Sequence, residues 1–285
     1  MKVLLAGAFG NLGSEILKAL CASENEIVAA DAVVRDIEGL DKDRFETKQI
    51  DLTNPESLEG LCDGIDAVIT TVGLTKASVK FNNYDIDYHG NLNLLNEAKR
   101  AGVKNFAYIS VIGSELGDGV PMVNSKYLME QELIKSGINY VIYRPTGYFY
   151  DIAKVFLPMI EKGEVSLLKV NPEPRCNVVD TPDFAQFILD TMCDENKIYN
   201  VGGKETYTYR EVARMFADAE GKEITIKTMP PFVMSILASL PKIKKSGRRD
   251  VILFSKFTLT HDCVGDTIVG ENSFKEYIAN RRYNK

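Results

Sequence analysis

Seven residues near the amino terminus, Gly7-Ala8-Phe9-Gly10-Asn11-Leu12-Gly13, space three glycines as Gly-x-x-Gly-x-x-Gly between an apolar run and a helical pattern. In that setting each glycine has its own task. Gly7 permits a tight turn, Gly10 lets backbone N–H groups reach a pyrophosphate, and Gly13 lets the helix pack closely on the strand. The implied chemistry is dinucleotide binding; a turn that uses glycine for geometry alone is the bland alternative. An acid at the end of the second strand would take a ribose 2′-hydroxyl, and Asp31 lies in that region. Arg35 follows, and its planar guanidinium suits a 2′-phosphate instead. Asp31 also reads as a strand residue and Arg35 as a solvated charge. The balance favours NADP(H), with NAD(H) the alternative.

The elements that must position these residues alternate through the first half. Lys2–Ala8 reads as a buried strand, and 11–22 as a helix with Leu12, Ile16, Leu17 and Leu20 at helical spacing. Strands follow over about Glu26–Val34, Glu46–Ile50, Asp66–Val72, Lys104–Val111 and Asn139–Tyr143, with helices over Asp85–Ala101 and Ser125–Ser136. Thr53-Asn54-Pro55-Glu56 reads as a further helix start. Strands alternating with helices of this length predict a doubly wound parallel α/β sheet, a Rossmann fold. Beyond Arg144-Pro145 the pattern loosens into short strands near Arg175–Val179, Lys197–Val201 and Glu223–Thr228, with helices at Thr181–Met192 and Tyr209–Ala219. The expectation is a dinucleotide-binding domain over 1–145 and a smaller carboxy-terminal lobe over 146–285 that returns partly to the main sheet.

Composition narrows the classes. The chain has 285 residues, 45% hydrophobic and 26% charged, which is ordinary for a globular protein. A net charge of −6 argues against nucleic acid as a partner. Five scattered cysteines without a CxxC pair, and only two histidines, argue against disulfides and a metal site. No secretory leader or membrane span is recognisable, so a cytoplasmic location is expected.

Taken in order, these motifs resemble the short-chain dehydrogenase/reductase superfamily, in its atypical, NmrA-like branch. The likeness runs through the glycine turn, Asp51-Leu52-Thr53, Thr70-Thr71-Val72-Gly73, the stretch Asp87-Tyr88-His89-Gly90-Asn91-Leu92-Asn93-Leu94-Leu95 and Phe106-Ala107-Tyr108-Ile109-Ser110. It continues through Lys126-x-x-x-Glu130, Tyr143-Arg144-Pro145 and Tyr199-Asn200-Val201-Gly202-Gly203. The resemblance implies that Asp51 and Leu52 contact the adenine and that Thr71, Val72 and Gly73 line the ribose side. It also implies that Lys126 holds the nicotinamide ribose, that Ser110 orients substrate (with Ser114 competing for the role and a plain turn serine as the alternative), and that Pro145 and Thr146 begin a loop near the nicotinamide. Gly90, inside a helix, calls for a close neighbour or for the cofactor.

One departure bears on catalysis. The superfamily's acid is the Tyr of Tyr-x-x-x-Lys, and four residues before Lys126 stands Met122. A thioether cannot donate a proton. Another acid could substitute, with Tyr127, Tyr148 and Tyr150 as candidates and Tyr148 taken first; a packing role is the alternative for each. Hydride addition to an activated double bond needs no strong acid beside a carbonyl, and absence of turnover is the third option.

In the lobe, the apolar run 231–240 precedes Lys242, Lys244, Lys245, Arg248 and Arg249. It reads as a core helix with a basic exit, a lid over a greasy substrate, or a contact with a membrane surface. His89 and the His261–Asp262 neighbours read as structural. Two functions stay open. One is an NADP(H)-dependent oxidoreductase acting on a small molecule such as an enone or quinone, which Lys126 and the full lobe favour. The other is a non-catalytic dinucleotide sensor whose lobe binds a protein partner.

Overall fold

The computed structural model describes residues 1–284. Its strands, in chain order, are β1 (Lys2–Ala6), β2 (Glu26–Asp31), β3 (Glu46–Gln49), β4 (Ala67–Thr70), β5 (Asn105–Ile109), β6 (Asn139–Pro145), β7 (Glu164–Leu168), β8 (Arg175–Cys176), β9 (Lys197–Gly202), β10 (Tyr207–Thr208), β11 (Thr225–Met229) and β12 (Thr267–Ile268). Eight of them form one sheet in the order β12-β9-β6-β5-β4-β1-β2-β3, parallel throughout. The order reverses between β1 and β4. Ligands on doubly wound sheets bind there, beyond the carboxyl ends of the strands. Sheet parallelism explains the residue types: Val3, Leu4, Leu5 and Ala6 are all buried because helices cover both faces.

The helices are α1 (Asn11–Cys21), α2 (Asn91–Ala101), α3 (Pro121–Lys135), α4 (Phe149–Glu161), α5 (Thr181–Thr191), α6 (Tyr209–Glu220), α7 (Phe232–Ser239), α8 (Pro241–Lys245), α9 (Arg249–Thr258) and α10 (Phe274–Ala279). One face of the sheet packs Leu5, Ile16, Leu17 and Ile69 against Phe184 and Ile188 of α5, and Val201 and Val269 belong to the same cluster. The opposite face buries Leu4, Val28, Leu94, Phe106 and Met129. Each such side chain contributes about 2 kcal/mol by leaving water. A third cluster joins Phe149, Phe156, Phe216 and Phe274 beneath α4, α6 and α10.

Several local readings shift. The second strand stops at Asp31 rather than Val34, and Val33 and Val34 are exposed. The Asp31 carboxylate ends the strand by accepting the N–H of Ala32 at 2.7 Å. At Thr53–Glu56 stands only a single 3-10 turn, Pro55–Leu58, capped by Asn54. The helix placed at Asp85–Ala101 is a π-helical stretch, Tyr84–Gly90, running into α2. α3 begins at Pro121, four residues before the expected start, so Met122 sits in its first turn. The core-helix reading of 231–240 does not hold. Of α7 only Ala238 is buried, while Phe232, Val233, Ile236, Leu237 and the following Leu240 are exposed along one face. Among the described residues no helix is long and apolar enough to cross a membrane.

Candidate cofactor and active site

The glycine turn joins β1 to α1. Gly7 has φ +81°, and a Cβ there would lie 2.5 Å from Thr71 Oγ1. Its N–H donates to Ala30 O at 2.8 Å. At Gly13 an added Cβ would run into the carbonyl of Gly7, so no larger residue fits without moving the turn. Gly10 is different. It is exposed, and a Cβ would touch nothing nearer than Gly7 O at 3.4 Å. Gly10 is the N-cap of α1 and brings no side chain to cap it. The N–H groups of Asn11, Leu12 and Gly13 therefore have no acceptor among the described residues. Three free amides at the positive end of a helix form an anion site.

At the end of β2 both Asp31 oxygens accept backbone N–H groups, Oδ2 from Phe9 at 3.0 Å and Oδ1 from Ala32. Arg35 lies beyond the strand, exposed and with no ion-pair partner among the described residues. Asp51, after β3, accepts the N–H and hydroxyl of Thr53 at 2.9 and 2.6 Å, and these bonds hold its carboxyl below the ordinary range. Leu52 is buried against Gly90, where a Cβ would sit 3.2 Å from Leu52 Cβ. Close packing, then, accounts for the helical glycine.

Beside the carboxyl end of β4 lies the centre of the site. Lys126 Nζ stands 3.2 Å from Asp87 Oδ1 and donates to Ile109 O at 3.1 Å. Asp87 is fully buried, and its Oδ2 accepts from the Leu74 N–H and from Asn83 Nδ2, both at 3.0 Å. Oδ1 accepts no hydrogen bond, and the ammonium reaches it only off-axis. Gly73 passes so near that a Cβ would be 2.6 Å from Asp87 Oδ1 and 3.1 Å from Lys126 Nζ. Asn91 anchors the same helix, accepting from Thr70 Oγ1 at 2.7 Å and donating to Val72 O at 3.1 Å. Asp87 went unassigned from the sequence. Its signal was there: Asn83, Asp87 and Asn91 stand four apart, a polar stripe on the face that a helix normally gives to the core.

Ser110 is buried at the end of β5 and donates to Glu130, whose carboxylate also takes Arg144 Nε at 3.1 Å and a terminal guanidinium nitrogen at 2.6 Å. Pro145 ends β6, and Thr146 turns its hydroxyl inward to Asn177 O at 2.8 Å. Tyr148 stacks on Tyr150 with ring centres 5.6 Å apart and on Phe184 at 6.2 Å. Burial, with Tyr150 and Asp151 nearby, pushes the Tyr148 phenol well above its usual value. Burial raises Tyr150 as well, opposed by a hydrogen bond to the Asn11 side chain. Tyr127, on α3, is half-buried. His261 stacks on Phe257 and shares a hydrogen bond with its carbonyl at 2.9 Å, while Asp262 pairs with Arg175 at 2.9 Å. The two neighbours thus point to different partners.

A model of the family described as NAD(P)H-binding matches residues 7–192. The chain belongs to that family. Its parallel sheet has the Rossmann strand order expected of a dinucleotide-binding fold. It is similar to the photosystem II assembly factor Ycf39 of Trieres chinensis, 23% identical over 84% of this chain and 76% of that one. It is also similar to the chloroplastic divinyl chlorophyllide a 8-vinyl-reductase of Arabidopsis thaliana, 25% identical over 85% of this chain and 64% of that one. Among solved structures an NADPH-dependent quinone oxidoreductase from Escherichia coli superposes with TM-score 0.74, covering 98% of this chain and 99% of that one at 18% identity.

The residues present fit the NAD(P)H that the family binds. The pyrophosphate needs amide donors and close backbone approach, which the uncapped α1 and bare Gly10 provide. A ribose hydroxyl both donates and accepts, and the open acceptor Asp87 Oδ1 beside the Lys126 ammonium offers both partners. One residue beyond Gly73, Leu74 joins Asn83, Met122 and residues of α8 and α9 in lining a cleft of about 630 Å³. A smaller one, about 330 Å³, lies between Thr53, Lys80, His89 and Asn93, which places His89 on a cleft wall.

Proposed function

We infer that the chain is an NADP(H)-dependent reductase that reduces a small conjugated organic substrate, an enone, quinone or related unsaturated carbonyl. The observation that carries this reading is the buried Asp87–Lys126 pair at the carboxyl end of the sheet, with Met122 at the tyrosine position one turn before Lys126. The nicotinamide supplies the hydride when bound. Lys126 and Asp87 would hold its ribose and so orient the ring over the cleft. Gly7, Gly10, Asn11, Leu12 and Gly13 would hold the pyrophosphate with Phe9 beside it, while Asp51, Leu52, Thr71, Val72 and Gly73 would border the adenosine. Ser110 acts through Glu130 as a positioning residue. Pro145, Thr146 and Tyr148 wall the site, and residues 146–285 supply its substrate side.

Met122 has no transferable proton, which favours addition to an activated double bond, with the proton taken from water in the open cleft. The preference for NADP(H) rests on Asp31 and Arg35. A carboxylate already occupied by two backbone amides is a poor ribose ligand, and Arg35 is free to meet a 2′-phosphate. The experiment is NADPH oxidation, followed by absorbance, against a panel of quinones and enones with Lys126→Ala alongside. Turnover on at least one class, lost in the variant, is expected. The likeness to an assembly factor and the missing tyrosine favour a second reading, a dinucleotide sensor for a protein partner. NADPH binding without turnover on any class would establish that reading in place of the first.

A further inference from the structure

We propose that the cleft beside Met122 is built for an organic acid, a flat apolar molecule with a carboxylate remote from the bond that is reduced. Reduction of the bound molecule rests on the reductase reading; the site itself rests on its walls. Leu74, Met122, Phe81 and Val251 make one part of the lining apolar. Lys76, Lys80, Lys244 and Lys245 line another part, and none of the four is in an ion pair among the described residues. Against them stand two acids, both occupied. Asp250 faces Arg249 at 3.3 Å, and Asp85 accepts the Asn82 N–H at 2.9 Å. In a chain of net charge −6 such a concentration of unpaired cations runs against the overall balance. Clustered like charges raise one another's free energy unless an anion joins them, and a partly enclosed cleft strengthens that attraction.

The lining is brought together by tertiary packing. Lys76 and Lys80 lie on the loop after β4, whereas Lys244 and Lys245 lie on α8, far along the chain. Gly247 clamps the two together: it has φ +68°, and a Cβ there would run into the backbone of Ser78. The clamp also sets the depth of the cleft. Its apolar floor at Leu74 and Met122 adjoins Gly73 and Lys126, while the ammonium groups stand on the other walls. A molecule anchored by its carboxylate on the lysines would lay its apolar end towards the nicotinamide site.

The test compares 2-naphthoate with its uncharged methyl ester, titrated calorimetrically into the NADP⁺-saturated protein. The acid should bind about tenfold more tightly than the ester, one charge contact at the wall of a partly enclosed cleft being worth about that factor. The double variant Lys244→Glu with Lys245→Glu should lose about tenfold for the acid and leave the ester and NADP⁺ unchanged. Lys104→Glu with Lys197→Glu, at the amino ends of β5 and β9, has the same net charge and should change neither. Equal binding of acid and ester, binding of neither, or equal loss in both double variants would overturn the proposal. Its fate is separate from that of the reductase reading. Selective acid binding without NADPH oxidation keeps the site and removes the enzyme; quinone reduction indifferent to an added carboxylate does the reverse.

Discussion

At Lys126 an ammonium with three donors spends one on Ile109 O and turns another towards Asp87, leaving the third for a ligand. Lys126→Ala should therefore weaken NADPH binding about tenfold while leaving Asp87 buried without its cation. Fluorescence titration reads the affinity. Asp87→Asn should weaken it less, since an amide oxygen can still accept; an equal or larger loss would mean that the charge itself holds the site. Arg144 belongs to stability instead. It neutralises the fully buried Glu130, which also receives the Ser110 hydroxyl. Arg144→Met should cost about 3 kcal/mol in urea unfolding, because it strands a buried carboxylate. Glu130→Gln with Arg144→Met should recover part of that loss.

Among elements, the turn into α1 separates two glycines that look alike in sequence. Gly13 is filled by the Gly7 carbonyl, whereas Gly10 faces open space. Gly13→Ala should lower the melting temperature by several degrees, because its methyl group would force the Gly7 carbonyl to move. Gly10→Ala should leave melting nearly unchanged yet weaken NADPH binding, because its methyl group occupies the pyrophosphate's approach. At α6, Thr208 and Glu211 form a reciprocal cap, the Glu211 N–H donating to Thr208 Oγ1 at 3.2 Å and the Thr208 N–H donating to Glu211 at 2.8 Å. The backbone bond, and then the Thr208 hydroxyl, pull the Glu211 carboxyl below its ordinary 4.5. A lowered carboxyl stabilises the fold above the unfolded value and loses that contribution as pH falls through the folded one. Thr208→Ala should accordingly cost about 1 kcal/mol at neutral pH and less in acid, read as the shift in urea midpoint.

At the level of the whole molecule, the two halves share a core. α5 packs on α1, β9 pairs with β6, and Phe184, Ile188 and Val201 fill the same cluster as Leu5 and Ile16. A chain ending at 145 would uncover that face, so it should lack near-ultraviolet circular dichroism, and the full chain should unfold in one transition. A folded, dinucleotide-binding 1–145 piece would contradict this. α7 stands apart from that core. Its outward Phe232 and Ile236 bury little, so replacing both with Ser should leave the melting temperature where it is.

The parallel sheet and the glycine turn were legible in the chain because each depends on short-range pattern: apolar runs, helical spacing, and glycines where backbone must pass. Strand ends were less so, as at Asp31, where two backbone amides stop β2 early. The cleft was not legible at all. Lys244 meets Lys76 only because Gly247 and the loop after β4 are folded together, and α7 faces outward only because α9 takes its other side. Hydrophobic periodicity tells which side of an element is apolar; which neighbour covers it, or whether any does, is settled by the packing of elements distant in sequence.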